Sequence, residues 1–175
     1  FTDEPDSPAA RVAAAATVAA YDDEAALATF AARVDAVTFE FENIPARAGE
    51  VLVRAGKPVR PGPQCLAVAQ DSLSEKRIFS EAGAPVGAYE VIDGLEDIAP
   101  ALAKLGVQAL LKTRRLGYDG KGQAWINGPD DAAAAWAAIG TAPAILEAKV
   151  AFVREISVVA ARGLDVDRIT LVINY

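Results

Sequence analysis

A glycine-rich segment in the second half of the chain carries residue types that bind phosphate groups. It combines three glycines with an aromatic, an acidic and a basic side chain: Gly117, Tyr118, Asp119, Gly120, Lys121 and Gly122. Glycine lets a backbone approach phosphate closely and adopt positive φ. Lys112, on the strand predicted before the segment, can reach the same phosphates, and Arg114 and Arg115 add positive charge. The spacing fits neither the P-loop nor the dinucleotide fingerprint, so a phosphate site and an ordinary basic hairpin are equally open.

Acidic residues elsewhere in the chain have the chemistry to contact a nucleotide or its acceptor. Glu147 lies in an apolar run that ends at Val150, and the backbone of such a connector can pair with an adenine edge. Glu155 can accept hydrogen bonds from ribose hydroxyls. Glu40 and Glu42 share one face of a predicted strand, where carboxylates can bind an amine or transfer a proton. Taken alone, these patterns favour solvent-exposed acidic side chains.

Composition excludes several classes of site. The net charge of −7 and the absence of a basic patch argue against nucleic-acid binding. The chain has no His, which excludes Ser-His-Asp and Cys-His catalysis within it, and its one cysteine, Cys65, cannot form an intrachain disulfide. Cys65 is expected to be a buried structural residue. No apolar run is long enough for a membrane span and no signal peptide is evident, so we expect a cytoplasmic protein.

Helices and strands alternate along the chain and must position these side chains. The sequence predicts helices at 9–16, 24–32, 46–55, 64–83, 95–105 and 130–139, and strands at 35–42, near 59, and at 88–92, 109–113, 123–126, 144–150 and 155–161. The alternation in the first part predicts a layered α/β unit. The hairpin-like pairs in the second part predict a small α+β lid. The chain begins at Phe1 without Met, and we expect it to be part of a longer protein.

Seven segments occur in an order and spacing that point to one family. They are VTFEFENIP at 37–45, VRPGP at 59–63, AQDSLSEK at 69–76, LKTRR at 111–115, GYDGKGQ at 117–123, and ILE at 145–147 followed by REISV at 154–158. From about Asp6 to Gly163 the chain resembles the N5-carboxyaminoimidazole ribonucleotide synthetases, a family of ATP-grasp enzymes of purine biosynthesis. The resemblance implies an α/β fold with a partial Rossmann-like pre-ATP-grasp domain at 1–70. At 71–175 it implies the lid and the start of the central ATP-grasp domain, with the C-terminal half absent.

The resemblance also implies residue roles. The ATP contacts are Ser72, Lys112, Gly117, Tyr118, Asp119, Gly120, Lys121, Gly122, Gln123, Glu147, Ala148, Lys149, Val150 and Glu155. Among them Lys112 contacts the phosphates, the segment 147–150 binds adenine, and Glu155 binds the ribose. Glu40 binds the ribonucleotide substrate. The implied catalytic residues are Tyr118, Asp119 and Lys121.

The implied reaction uses ATP to activate bicarbonate as carboxyphosphate, which then carboxylates the exocyclic amine of 5-aminoimidazole ribonucleotide. The family implies a homodimer and Mg²⁺, with the metal ligands expected in the absent C-terminal half and none in this chain. Two positions depart from the family pattern. Ser72 stands where Arg or Lys is usual, with Lys76 one turn later as a partial substitute, and Leu116 stands where Gly is common. Two alternatives are another ATP-grasp ligase or transformylase with a different acceptor, and a nucleotide-binding module without catalysis.

Overall fold

The computed structural model describes residues 1–117 and 121–163, and the backbone of residues 169–174. Its helices are α1 (Pro8–Val12), α2 (Glu24–Ala31), α3 (Ala46–Arg54), α4 (Pro63–Ala69), α5 (Ser72–Glu81), α6 (Ile98–Leu105) and α7 (Ala132–Ala138). Its strands are β1 (Tyr89–Ile92), β2 (Ala109–Thr113), β3 (Gln123–Ile126), β4 (Ala144–Ala148), β5 (Ser157–Arg162) and β6 (Ile169–Asn174). These elements confirm most of the predicted helices and the predicted pairing of the strands at 109–113 and 123–126. The strands predicted at 144–150 and 155–161 form in part but do not pair with each other, and the strand predicted near 59 is only an isolated bridge. Within the described residues, no helix is long and apolar enough to cross a membrane.

The first part of the chain packs around helices α2 and α3. The side chain of Asp23 accepts a hydrogen bond from the Ala26 N–H at 2.9 Å, which caps α2 where the sequence predicted the helix to begin. Apolar residues from both helices and the following turn form one buried cluster: Leu27, Ala31, Ala48, Val51, Leu52 and Val59. This small core anchors the loop that leads from α2 to α3.

The strand predicted at 35–42 is wrong. Within the described residues this segment pairs only through a single parallel bridge between Val37 and Val59. The Val37 N–H donates to the carbonyl of Pro58 at 2.8 Å, and the Arg60 N–H donates to the Val37 carbonyl at 2.9 Å. Continuing the ladder toward residue 35 would need an N–H at position 58, and Pro58 has none. The alternating sequence therefore forms an extended loop.

The second part is an antiparallel sheet in the order β1-β4-β2-β3. Helices α6 and α7 cover one face, which is completely apolar at its centre. The buried residues of this core are Ile92, Ile98, Ala101, Leu102, Ala109, Leu111, Ile126, Ala135, Ile139, Ala144 and Leu146. The opposite face is mixed, because the alternation of side chains places the fully buried Ile145 there together with Lys112 and Glu147.

The sheet contains two similar β-α-β units, β1-α6-β2 and β3-α7-β4. In each unit a strand is followed by a 3₁₀ turn and then a helix, so the helices predicted from 95 and 130 begin with Leu95–Asp97 and Pro129–Asp131. The carboxylate of Asp97 accepts from the Asp93 N–H at 2.9 Å, and that of Asp131 accepts from the Asn127 N–H at 2.9 Å. The glycine-rich segment connects β2 of the first unit to β3 of the second.

The helix predicted at 64–83 is two helices, because α4 ends before a bend at Gln70 and Asp71. Leu66 of α4 is only 5% exposed, whereas its neighbour Cys65 points outward and is exposed. The expectation of a buried Cys65 is therefore wrong. An apolar groove runs past this thiol, and Phe79 of α5 lines it.

Candidate nucleotide-binding site

A cleft of about 300 Å³ opens between the α4–α5 bend and the carboxyl end of β2. Its walls combine acidic, basic and small polar residues: Glu42, Asn43, Ala69, Gln70, Ser72, Glu75, Lys112, Thr113, Arg114, Leu116, Gly117, Lys121, Gly122 and Gln123. The sequence-predicted ATP contacts at 72, 112, 117 and 121–123 therefore meet in one place. Tyr118, Asp119 and Gly120, also predicted for the site, lie outside the described residues.

On the face of the sheet that points away from α6 and α7, side chains from three strands meet beside this cleft. Leu110 pairs with Glu147, and Glu147 pairs with Tyr89, so the three lie on the same face of neighbouring strands. Lys112 follows Leu110 by two positions and shares that face. The antiparallel register thus brings Lys112 and Glu147 together, although they are far apart in sequence.

Two ammonium groups contact the carboxylate of Glu147. Lys76 Nζ of α5 lies 2.6 Å from Glu147 Oε1, and Lys112 Nζ lies 3.5 Å from Glu147 Oε2. The Lys76 ammonium also lies 5.4 Å from the centre of the Tyr89 ring. The side chains of Lys76 and Glu147 are 17% and 19% exposed, and that of Lys112 is 35% exposed. One carboxylate between two cations leaves a net positive charge on the face, which favours an anionic ligand.

The Ser72 position carries no cation, and the structure shows what surrounds it. The Ser72 N–H donates to the carbonyl of Arg114 at 2.9 Å, and the residue lines the cleft at the start of α5. Lys76, the predicted substitute, is bound to Glu147. Lys76 therefore contributes its positive charge beside Glu147, on the face of the sheet that carries Lys112.

The two ends of the glycine-rich segment pack tightly around Thr113. The Thr113 N–H donates to the Gly122 carbonyl at 2.8 Å. Gly122 has φ +69°, and a Cβ on it would lie 2.6 Å from the Thr113 hydroxyl oxygen. A Cβ on Gly117 would lie 3.3 Å from that oxygen and 3.3 Å from the Lys121 carbonyl. Glycine is required at 122 for both its conformation and its close approach.

Asp71 joins α5 to the end of β2. Its carboxylate caps α5 by accepting from the backbone N–H groups of Leu73 at 3.0 Å and Ser74 at 3.1 Å. The Arg114 guanidinium donates to the same carboxylate at 2.6 Å. Burial alone would raise the pKa of Asp71, but the hydrogen bonds from Arg114, Ser74 and Leu73 outweigh it and lower the pKa below its usual value.

The predicted nucleotide contacts that follow Glu147 lie outside the cleft lining, and the first two of them bond to other parts of the chain. The Ala148 N–H donates to the Ala88 carbonyl at 2.9 Å. Lys149 is tied to Gln108, since its Nζ donates to the Gln108 side-chain oxygen at 3.0 Å and its N–H donates to the Gln108 carbonyl at 3.2 Å. Val150 and Glu155 are exposed. None of these four predicted contacts is among the residues that line the cleft.

The predicted substrate residue Glu40 is also exposed and outside the cleft lining, whereas its neighbours Glu42 and Asn43 line the cleft. The sequence prediction did not include Gln70, Asp71 or Thr113 among the site residues. Only Asp71 had a usable signal, since an aspartate directly before a helical run is typical of a helix cap.

The family model for the ATP-grasp domain matches residues 77–172, which is more than half of the chain. The chain belongs to the ATP-grasp family. The family model for the ribonucleotide synthetase pre-ATP-grasp domain matches residues 1–70. The α/β ATP-grasp fold predicted from the sequence is thereby confirmed, and the Lys112–Glu147 cluster lies within the matched ATP-grasp segment.

Two curated relatives that are more than 40% identical to this chain share one name. The N5-carboxyaminoimidazole ribonucleotide synthase of Brucella melitensis is 47% identical over 157 residues, covering 89% of this chain and 43% of the relative. The enzyme of the same name from Pseudomonas aeruginosa is 41% identical over 145 residues, covering 83% of this chain and 40% of the relative. The resemblance inferred from the sequence is confirmed. The chain spans less than half the length of these relatives.

Solved ATP-grasp structures agree with this similarity. A crystal structure of an N5-carboxyaminoimidazole ribonucleotide synthetase with ADP superimposes with a TM-score of 0.89 at 35% identity, covering 97% of this chain and 45% of that one. The synthetase of Thermus thermophilus gives a TM-score of 0.85 at 37% identity, with the same coverage of both chains. D-alanyl-alanine synthetase A of Vibrio cholerae, at 19% identity and a TM-score of 0.63, covers 79% of this chain and 43% of that one, and it shows the fold alone.

Proposed function

We propose that this chain provides the ATP-binding lid of an enzyme that carboxylates 5-aminoimidazole ribonucleotide with ATP and bicarbonate. The observation that carries the proposal is the cluster of Lys112, Glu147 and Lys76 beside a glycine-rich segment in an ATP-grasp domain. The curated relatives named for this activity support the choice of acceptor. The product would be N5-carboxyaminoimidazole ribonucleotide, an intermediate of purine biosynthesis.

The ATP contacts follow from the charges of the site. Lys112 and Lys121 line the cleft, so their ammonium groups would neutralise phosphate oxygens there. The backbone at Gly117 and Gly122 would approach the same phosphates closely. The remaining contacts lie along the strand and its connector: Glu147, Ala148, Lys149 and Val150 would bind adenine, and Glu155 would bind the ribose.

The reaction needs positioning more than covalent chemistry from the protein. The γ-phosphoryl group moves from ATP to a bicarbonate oxygen, giving ADP and carboxyphosphate. The exocyclic amine of the ribonucleotide then attacks the carboxyl carbon, phosphate leaves, and the amine loses a proton. We propose that Glu40 binds the ribonucleotide and that Tyr118, Asp119 and Lys121 act beside the reacting groups. A closed glycine-rich segment would shield carboxyphosphate from water.

Several finer statements belong to this proposal. Magnesium is expected from the family, but among residues 1–117, 121–163 and 169–174 no cluster of acidic residues or cysteine could hold a metal ion. A homodimer, a cytoplasmic location and a domain boundary between 70 and 71 are also proposed. The exposed free thiol of Cys65 is compatible with a reducing compartment.

Replacing Lys112 with Ala tests the ATP assignment. We expect the dissociation constant of a non-hydrolysable ATP analogue, measured by calorimetry, to rise about 10- to 100-fold, because a hydrogen bond to a charged group contributes about 1.5–3 kcal/mol. The matched control is Lys104→Ala, since Lys104 pairs with Glu90 at 2.8 Å on an exposed surface away from the cleft. Equal affinities for Lys112→Ala and the control would refute the assignment.

The acceptor is tested separately from ATP binding. In the complete protein that contains this chain, phosphate release should require both ATP and 5-aminoimidazole ribonucleotide. Release with a different amine, and none with this ribonucleotide, would instead indicate another ATP-grasp ligase. Binding of ATP without turnover on any amine would indicate a nucleotide-binding module.

A further inference from the structure

Gln70 lies at the bend between α4 and α5 and is only 9% exposed. Its side-chain NH₂ group donates to two backbone carbonyls, those of Glu42 and Ile44. Its side-chain oxygen accepts from the Arg115 guanidinium at 2.9 Å. One buried amide therefore joins the loop before α3 to the end of strand β2.

The adjacent contacts fix the same junction. The Arg114 guanidinium donates to the Asp71 carboxylate at 2.6 Å, and the Arg114 carbonyl accepts from the Ser72 N–H at 2.9 Å. The two arginines that begin the glycine-rich segment are thus both held by the α4–α5 bend. The loop that contains Glu42 and Ile44 is held differently. Within the part of the chain that the structure describes, the side-chain hydrogen bonds from this bend to these two residues all come from Gln70.

The geometry of a primary amide makes Gln70 a coupling element. Its two N–H donors and its oxygen belong to one planar group, so a rotation that breaks the bonds to Glu42 and Ile44 also moves the acceptor of Arg115. The loop on one side contains Glu40, proposed for the ribonucleotide. The segment on the other side contains Lys121, proposed for ATP phosphate. Among the described residues, Gln70 is thus a side chain that hydrogen-bonds to both the loop at 42–44 and the segment that begins at Arg115.

We infer that Gln70 is a positioning residue that couples ribonucleotide binding to ATP binding. The inference rests on the proposed function, because it assumes that these two ligands occupy the two loops. Coupling of this kind is reciprocal: if the ribonucleotide strengthens ATP binding, ATP strengthens ribonucleotide binding by the same factor.

The test is the ratio of two dissociation constants for a non-hydrolysable ATP analogue, measured by calorimetry without and with saturating 5-aminoimidazole ribonucleotide on the complete protein that contains this chain. For the unaltered chain we expect a ratio of about 5 or more, the lower end of typical coupling. Gln70→Glu keeps the acceptor for Arg115 but replaces the amide donors that face the carbonyls of Glu42 and Ile44. Its ratio should fall to near 1.

Two further variants separate coupling from stability. Arg115→Met removes the other arm of the link at an exposed position and should also bring the ratio to near 1, even if Gln70→Glu fails to fold. Gln64→Glu makes the same chemical change at an exposed glutamine of α4 and should keep the ratio of the unaltered chain.

Each outcome has a distinct meaning. A ratio that stays at the value of the unaltered chain in both Gln70→Glu and Arg115→Met overturns the inference. The inference also fails if a variant weakens the binding of both ligands but keeps the ratio. If the unaltered chain binds both ligands with a ratio of 1, the inference fails and the proposed function stands. If either ligand does not bind at all, the proposed function fails and the inference fails with it.

Discussion

Replacing Asp71 tests how strongly the start of α5 is held to Arg114, directly after β2. Asp71→Ala removes two interactions at once, the cap of α5 and the ion pair with Arg114. Loss of a helix cap costs about 0.5–2 kcal/mol. Loss of a charged hydrogen bond costs about 1.5–3 kcal/mol. The side chains of Asp71 and Arg114 are 10% and 28% exposed, so solvent screens this pair only partly. We expect a total loss of about 2–5 kcal/mol in the free energy of unfolding.

Two matched variants divide this loss into its parts. Asp71→Asn keeps an acceptor for the cap but loses the charge, so it should cost only the part that belongs to the ion pair, about 1.5–3 kcal/mol. Asp23→Ala removes the exposed cap of α2, whose carboxylate forms no hydrogen bond with an arginine of the described chain, and should cost about 1 kcal/mol. The costs should therefore rank Asp71→Ala first and Asp23→Ala last.

The assay is urea unfolding followed by circular dichroism, with the slope of the transition checked to be the same for each variant. For a chain of this size, each kcal/mol should also lower the midpoint of thermal unfolding by roughly 2–4 °C. If Asp71→Asn unfolds at the same urea concentration as the unaltered chain, the Arg114 ion pair contributes nothing and the reasoning is refuted. If Asp71→Ala costs no more than Asp23→Ala, the same conclusion follows.

Two further predictions concern pH and backbone geometry. The pKa of Asp71 is lower in the folded chain than its usual value of about 3.9, so its carboxylate stabilises the fold above that pH and loses this effect as pH falls below it. The difference in unfolding free energy between the unaltered chain and Asp71→Asn should therefore shrink in acid. A difference that does not depend on pH would contradict this prediction. Gly122→Ala should destabilise more than Gly56→Ala in urea unfolding, because both have positive φ, a strain of about 1–2 kcal/mol, but only at Gly122 would the new Cβ meet the neighbouring threonine hydroxyl. Equal losses at the two glycines would show that the threonine moves away freely.

The sequence was sufficient to predict most of the regular elements. Helix α2 follows from the aspartate that caps it, and the β2–β3 pair follows from two short apolar runs around a glycine-rich connection. The alternating segment around Val37 failed as a strand prediction because strand formation depends on a partner, and here the partner is flanked by Pro58 and Pro61. Local periodicity contains no information about that partner.

The candidate site was predictable where a residue's own type and position determine its role. Lys112 and Glu147 were named from the sequence, and the sheet register places them together. The hydrogen bonds of Gln70 were not predictable, since its partners lie 28, 26 and 45 positions away and no pattern near Gln70 distinguishes it from a surface glutamine. The exposure of Cys65 was missed because it depends on which side of α4 packs inward.

The two β-α-β units of the sheet separate the stability of the core from the chemistry of the glycine-rich segment. Each unit closes its own turn, through Asp97 in one and Asp131 in the other, and each supplies a helix to the shared apolar core. The glycine-rich segment belongs to neither unit, because it is the linker that joins them. The two apolar halves of the sheet therefore do not depend on the described side chains of this linker for their packing. Substitutions in the linker that spare the glycines packed on Thr113 should change ligand binding more than the free energy of unfolding.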